Sequence, residues 1–94
     1  MVDRILQKDA KRTAEFSITI KGARSRQAAL SYLSDMVKPE ARATVIKIAE
    51  SPNGFKQDGD SYTLSGLVCC EGDKYYLCAE GDYYCTYAGE GCPA

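Results

Sequence analysis

The chain has 94 residues, 45% of them hydrophobic and 27% charged, with a net charge of −1 and a pI near 5.3. That length suits one domain (1–94) with a modest core, without room for a deep substrate cleft as well, and the mixed composition argues against a chain disordered throughout. Histidine is absent, which removes the commonest general base and metal ligand and excludes any Ser-His or Cys-His nucleophile pair within the chain.

The near-zero net charge conceals a split. Residues 1–56 carry eleven Lys and Arg against six Asp and Glu, a net of +5; residues 57–94 carry Lys74 against seven acids, a net of −6. A bipolar chain of this kind either docks a partner by one end or lays its charges out as solvated faces. The acidic pI argues against nucleic acid as a partner of the whole molecule. The opening residues, MVDRILQKDAKRTAEF, hold no apolar run of the secretory kind, and no stretch approaches the roughly 20 apolar residues that span a bilayer. The default expectation is therefore cytoplasmic with no membrane partner. The cysteine density pulls toward an oxidising compartment, so secreted and viral origins stay open.

In chain order, residues 1–12 read as an N-terminal arm or short helix, with Val2, Ile5 and Leu6 on one side. Residues 14–20 alternate cleanly, with Phe16, Ile18 and Ile20 against Glu15, Ser17 and Thr19, which predicts a half-buried strand. Gly22 ends it, and Ser25 is the expected N-cap of a helix reaching about Lys38. Ala29, Leu30, Leu33, Met36 and Val37 form the apolar stripe of that helix, and Pro39 stops it. The β-branched run 43–49 predicts a second strand, SPNG at 51–54 a turn, and 55–60 a polar loop with part of it paired.

Three strands are expected in the last third: Tyr62 to Cys70, Lys74 to Ala79, and Tyr83 to Ala88. The short repeat EGDKYYLC, EGDYYC supplies two turns with glycine at the first central position, the signature of type II′ hairpins. The expected fold is α+β. One main helix packs on a mostly antiparallel sheet of about five strands (β-α-β-β-β-β), with a strand–helix–strand unit at 13–60 and a Cys/Tyr-rich β-meander and tail at 61–94. The strand–helix–strand unit would set its two strands side by side in parallel by a right-handed crossover.

All five cysteines fall in the last 26 residues. With turns centred on Gly72-Asp73 and Gly81-Asp82, the period of two places Tyr62, Leu64, Val68, Cys70, Tyr75, Leu77, Ala79 and Tyr84 on one face. The other face collects Thr63, Ser65, Leu67, Cys69, Tyr76, Cys78, Cys85 and Tyr87. Cys78 then stands opposite Cys85, a spacing compatible with a disulfide, with Cys69–Cys92 as a second pair and Cys70 as a buried thiol. A bulge in either hairpin would move a cysteine to the other face. The alternative is a thiolate centre for zinc or an iron–sulfur cluster, with Cys69, Cys78, Cys85 and Cys92 as ligands. Its weakness is the absence of a C-x2-C knuckle, and no C-x-x-C redox pair is present either. Reduced thiols packed among the tyrosines are a third reading.

Seven tyrosines, five of them within 75–87, suggest an interaction surface or simple strand propensity. Tyr76, Tyr87 and Tyr83 are the candidate partner contacts, on a sheet face that the helix does not cover. Glu71, Asp73, Glu80 and Asp82 rim it and would steer a basic protein. Lys21, Arg24, Ser25 and Arg26, at the strand-to-helix junction, form a candidate anion site, against the plainer reading of solvated arginines on a turn. The expectation is a small non-enzymatic protein-binding module without cofactor, inhibitor-like or a small subunit of a complex, with homo-oligomers left open. A small phosphate-holding enzyme is the weakest alternative.

Overall fold

The structure is a computed structural model that describes residues 5–7 and 13–92, with side chains for 13–92. Its elements are β1 (Ile5–Gln7), β2 (Thr13–Lys21), α1 (Arg26–Met36), a 3-10 turn (Pro39–Ala41), α2 (Arg42–Glu50), β3 (Phe55–Asp58), β4 (Ser61–Glu71), β5 (Lys74–Cys78) and β6 (Tyr84–Glu90). The strands run in the order β1-β6-β5-β4-β2, with β3 also paired to β4, and every ladder is antiparallel. The fold is α+β, with both helices packed on one face of the sheet.

The alternation of β2 places its residues as expected: Phe16, Ile18 and Ile20 are half-buried against the core, while Glu15, Ser17 and Thr19 are exposed. Ser25 caps α1 by accepting from the Ala28 N–H at 3.1 Å, so one of the unpaired donors of the first turn finds a partner. Ala29 and Leu33 are buried in the helix, but Met36 is half exposed at the end of the stripe.

Residues 43–49 are helical, which corrects the expected strand. Ala41, Thr44, Val45, Ile48 and Ala49 are the buried positions, at helical spacing, and Ile46 faces water. Pro39 ends α1 and also opens the 3-10 turn that leads into α2, a position where its fixed φ and missing N–H are harmless. Poor helix propensity of Thr, Val and Ile costs only tenths of a kcal/mol each. Burying Val45 or Ile48 against the sheet contributes about 1.5–3 kcal/mol apiece. Packing wins.

The predicted parallel crossover is corrected too. Its second strand, 43–49, is instead α2, and β2 pairs antiparallel with β4. The loop expected at 55–60 is mostly β3, joined to β4 by the Gly59-Asp60 turn. Ile5–Gln7, within the expected arm or helix, pairs with β6, and the rest of 1–12 lies outside the described residues.

The β4–β5 register matches expectation: Glu71 faces Lys74, Cys70 faces Tyr75, Cys69 faces Tyr76 and Leu67 faces Cys78. Gly72, at φ +63, supplies the left-handed conformation at the first central position of the turn. The second repeat behaves differently. The Asp82 N–H bonds the Ala79 carbonyl at 3.0 Å, so Glu80 and Gly81 are its central residues, and Gly81 takes φ +87 at the second of them.

A β-bulge interrupts the β5–β6 ladder. Tyr75 pairs with Gly89 and Tyr76 with Tyr87, which leaves Ala88 as the extra residue. The Ala88 carbonyl accepts from the Lys38 N–H at 2.9 Å, tying the helix junction to the sheet. Gly89 is needed beside it, because a Cβ there would come within 2.9 Å of the Tyr75 ring.

Two apolar clusters result. The larger, between helices and sheet, contains Leu33, Val37, Val45, Ile48, Leu64, Val68 and Leu77. The smaller, on the other face, contains Cys69, Tyr76, Cys78, Cys85 and Tyr87, with Leu67 packed against it. This division follows the face assignment made from the strand period, apart from Tyr84, which is exposed.

Candidate functional site

The cysteines are cross-links. Cys78 and Cys85 form a disulfide with Cα atoms 4.4 Å apart, as their opposed register predicts. The second disulfide joins Cys70 to Cys92, Cα atoms 5.9 Å apart, and Cys69 is the buried free thiol. The expected Cys69–Cys92 pair and free Cys70 are therefore exchanged. Cys92 lies beyond the last ladder pair, Lys74–Glu90, so strand period does not set its face: Gly91 donates its N–H to the Asp73 carbonyl at 2.7 Å, and a φ of +84 at Gly91 turns the chain so that Cys92 meets Cys70.

This pairing removes the thiolate centre. Cys78, Cys85 and Cys92 are oxidised, and only Cys69 of the four expected ligands keeps a thiol. Zinc and iron–sulfur sites need several thiolates. Among the described residues no group of three or more Cys, Asp or Glu side chains converges on a common point. Two disulfides fit an oxidising environment and leave the cytoplasmic expectation without support. Among the described residues no helix is long and apolar enough to cross a membrane.

Tyr76 and Tyr87 are not surface residues. They are 2% and 4% exposed, packed edge to face with ring centroids 5.6 Å apart, and the Tyr87 hydroxyl donates to Glu90 at 3.5 Å. The accessible aromatic pair is Tyr83 with Tyr84, 63% and 55% exposed, their rings edge to face at 5.1 Å. Strand period alone assigned Tyr84 to the core face. Tyr84 is still a strand residue, the first of β6 and paired with Gln7 of β1, but its side chain is left in water there.

Tyr83 ends the loop between β5 and β6 and Tyr84 opens β6, both within the segment that the Cys78–Cys85 disulfide closes. The loop is pinned a second time by Lys47 of α2, whose ammonium holds both oxygens of Asp82 at 2.8 and 2.9 Å. A doubly anchored loop holds its exposed aromatics with little freedom left to lose on binding.

The four acids do not form one rim. Glu71 and Asp73 belong to the β4–β5 turn, Glu80 and Asp82 to the opposite end of β5, roughly 17 Å away along the strand. At the Glu80 end lies an open groove of about 780 Å³. It forms where β4 changes partners: residues up to Leu64 pair with β3, those from Leu67 with β5, and Ser65 instead bonds Gly54. Glu15 and Ser17 of β2, Ser65 and Leu67 of β4, and Glu80 line it, with Pro52, Asn53 and Gly54 at one side. No lysine or arginine lines it, so its electrostatic character is acidic.

The basic junction is mostly committed within the fold. The Ser25 hydroxyl caps α1, and the Arg26 guanidinium donates to the Ala49 carbonyl at 3.1 Å while lying 4.9 Å from the Phe55 ring centre. Arg26 thus stitches the start of α1 to the last turn of α2, where a cation is favoured by the helix dipole. Lys21 and Arg24 are exposed beside it.

No family model matches the chain, and neither a curated protein nor a solved structure is similar to it.

Proposed function

We propose that this chain is a small non-enzymatic protein-binding module, inhibitor-like or a subunit of a complex, that grips a basic segment of its partner with the disulfide-closed loop between β5 and β6. The observation that carries this reading is the exposed Tyr83–Tyr84 pair on a loop locked by Cys78–Cys85 and by Lys47–Asp82. Rigid tyrosines are strong interface anchors because they bring large contact area at small entropic cost. Glu80 stands on the same loop and lines the acidic groove, so a lysine or arginine next to the partner's anchor residue has a carboxylate to meet.

The test is selection of a random peptide library on the immobilised chain. Enriched peptides should be rich in Lys and Arg. Tyr83→Ala or Tyr84→Ala should weaken their binding about 30-fold, the effect of losing an interface anchor of about 2 kcal/mol. Glu80→Lys and reduction of Cys78–Cys85 should weaken it as well. Acidic or apolar consensus peptides, or binding indifferent to all four changes, would refute the reading.

A further inference from the structure

β2 is an edge strand of nine residues whose ladder to β4 runs without a break from Thr13 to Lys21, and among the described residues it pairs with nothing on its other side. It carries no proline and no bulge, the usual devices that blunt a sheet edge. We propose that its partner is a second copy of the same strand, paired antiparallel about Ile18 to continue the sheet across a two-fold axis.

The backbone geometry picks out the residues that would bond. Ser65 gives its N–H to Gly54, on the β3 side of β4. Residues in an antiparallel ladder alternate between exchanging both hydrogen bonds and neither, so Ser17, opposite Ser65, turns its own N–H and C=O away from β4. Glu15, Thr19 and Lys21 do the same by alternation. The even positions turn inward, as the Gly22 N–H to the Asp60 carbonyl shows at 3.0 Å.

Pairing these outward groups about Ile18 makes the sequence its own complement. Glu15 meets Lys21 of the second copy, Ser17 meets Thr19, Phe16 meets Ile20, and Ile18 meets itself. Opposite charges, a hydroxyl pair and an aromatic–β-branched pair are the favourable cross-strand combinations. Centring on Ser17 or on Thr19 leaves Glu15 without a cation opposite. Charge therefore selects the register.

The apolar side agrees. Phe16, Ile18 and Ile20 are only partly buried in the single chain. A mostly apolar cavity of about 170 Å³ lies above Phe16 and Ile18, lined also by Leu33, Met36, Leu64 and Tyr75. Met36 and, one turn earlier on α1, Tyr32 are more than half exposed. In the two-fold arrangement both copies keep their helices on the same side, so these side chains cover the new seam. Lys21 of the second copy neutralises the Glu15 end of the acidic groove and leaves the Glu80 end free.

Sedimentation equilibrium of the full chain across the micromolar range tests this. The expected result is a concentration-dependent rise from 10.3 kDa toward twice that mass. Glu15→Lys and Lys21→Glu should each raise the dissociation constant about tenfold, and the two together should restore it, because the charges then meet again. Ser17→Pro removes an outward N–H that β4 does not use and should leave a folded monomer. A chain that stays at monomer mass throughout overturns the proposal. So does a dimer that forms equally well in Ser17→Pro and in both single charge reversals.

Discussion

Tyr75 shows how one residue can serve both packing and chemistry. Its ring lies over Gly89, where no side chain would fit, and burial pushes its phenol above the ordinary value of 10.0. A phenol whose folded pKa is raised binds its proton more tightly in the native state. Its contribution to stability is thus complete below the unfolded pKa and is lost as pH rises through the folded one. Denaturant unfolding followed from neutral to strongly alkaline pH should therefore show stability falling above about pH 10. Tyr75→Phe should flatten that fall, and an unchanged slope in the variant would assign the effect elsewhere. A single residue also set the limit of the sequence reading. Nothing in TYAGEGC marks Ala88 as a bulge, and the partner its carbonyl finds there, the Lys38 N–H, is far off in the chain. The tail carrying Cys92 was equally open to either face, and the turn at Gly91 takes it to Cys70 instead of Cys69.

At the scale of elements, what was legible rested on local periodicity and local turn chemistry. The alternation of β2, the Ser25 cap, and the β4–β5 register set by Gly72-Asp73 all follow from residues close in sequence. The opposition of Cys78 and Cys85 did as well, even though the turn between them is centred one residue earlier than expected. α2 was missed because Val45 and Ile48 satisfy a buried strand as readily as a helix; only the tertiary face, with Ile46 left in water, decides. The exposed Tyr83–Tyr84 pair was half legible: composition pointed to the tyrosines, but period cannot say which strand positions the rest of the fold leaves uncovered. The two disulfides divide the stabilisation unequally. Cys70–Cys92 closes a span of 22 residues and Cys78–Cys85 one of 7. On loop-closure entropy the first contributes about 3 kcal/mol and the second about 2 kcal/mol. Urea unfolding of Cys92→Ala and of the Cys78→Ala, Cys85→Ala double variant should rank in that order. The reverse ranking would mean that the short cross-link holds more than its own loop.

At the scale of the whole molecule, the sheet separates two apolar clusters. Its helix-covered face holds the main core, and its other face buries a compact Cys/Tyr cluster that the sequence alone offered as an interaction surface. The exposed features lie instead at the sheet ends and edge: the Tyr83–Tyr84 pair, the acidic groove, and, among the described residues, the open side of β2. The bipolar charge is partly consumed within the fold, since Lys47 from the basic half clamps Asp82 from the acidic half. Glu71 and Asp73 stand at one end of β5 and Glu80 and Asp82 at the other, so these acids do not make a continuous rim.

All of this depends on the cysteines acting as structural cross-links that lock the display loop. The most direct test is alkylation of the unreduced chain in denaturant, followed by digestion and peptide mass analysis. The account predicts modification of Cys69 alone, with Cys70 linked to Cys92 and Cys78 to Cys85. Alkylation of Cys78 and Cys85, or any bridge that includes Cys69, would contradict it and return the cysteine cluster to the list of open sites.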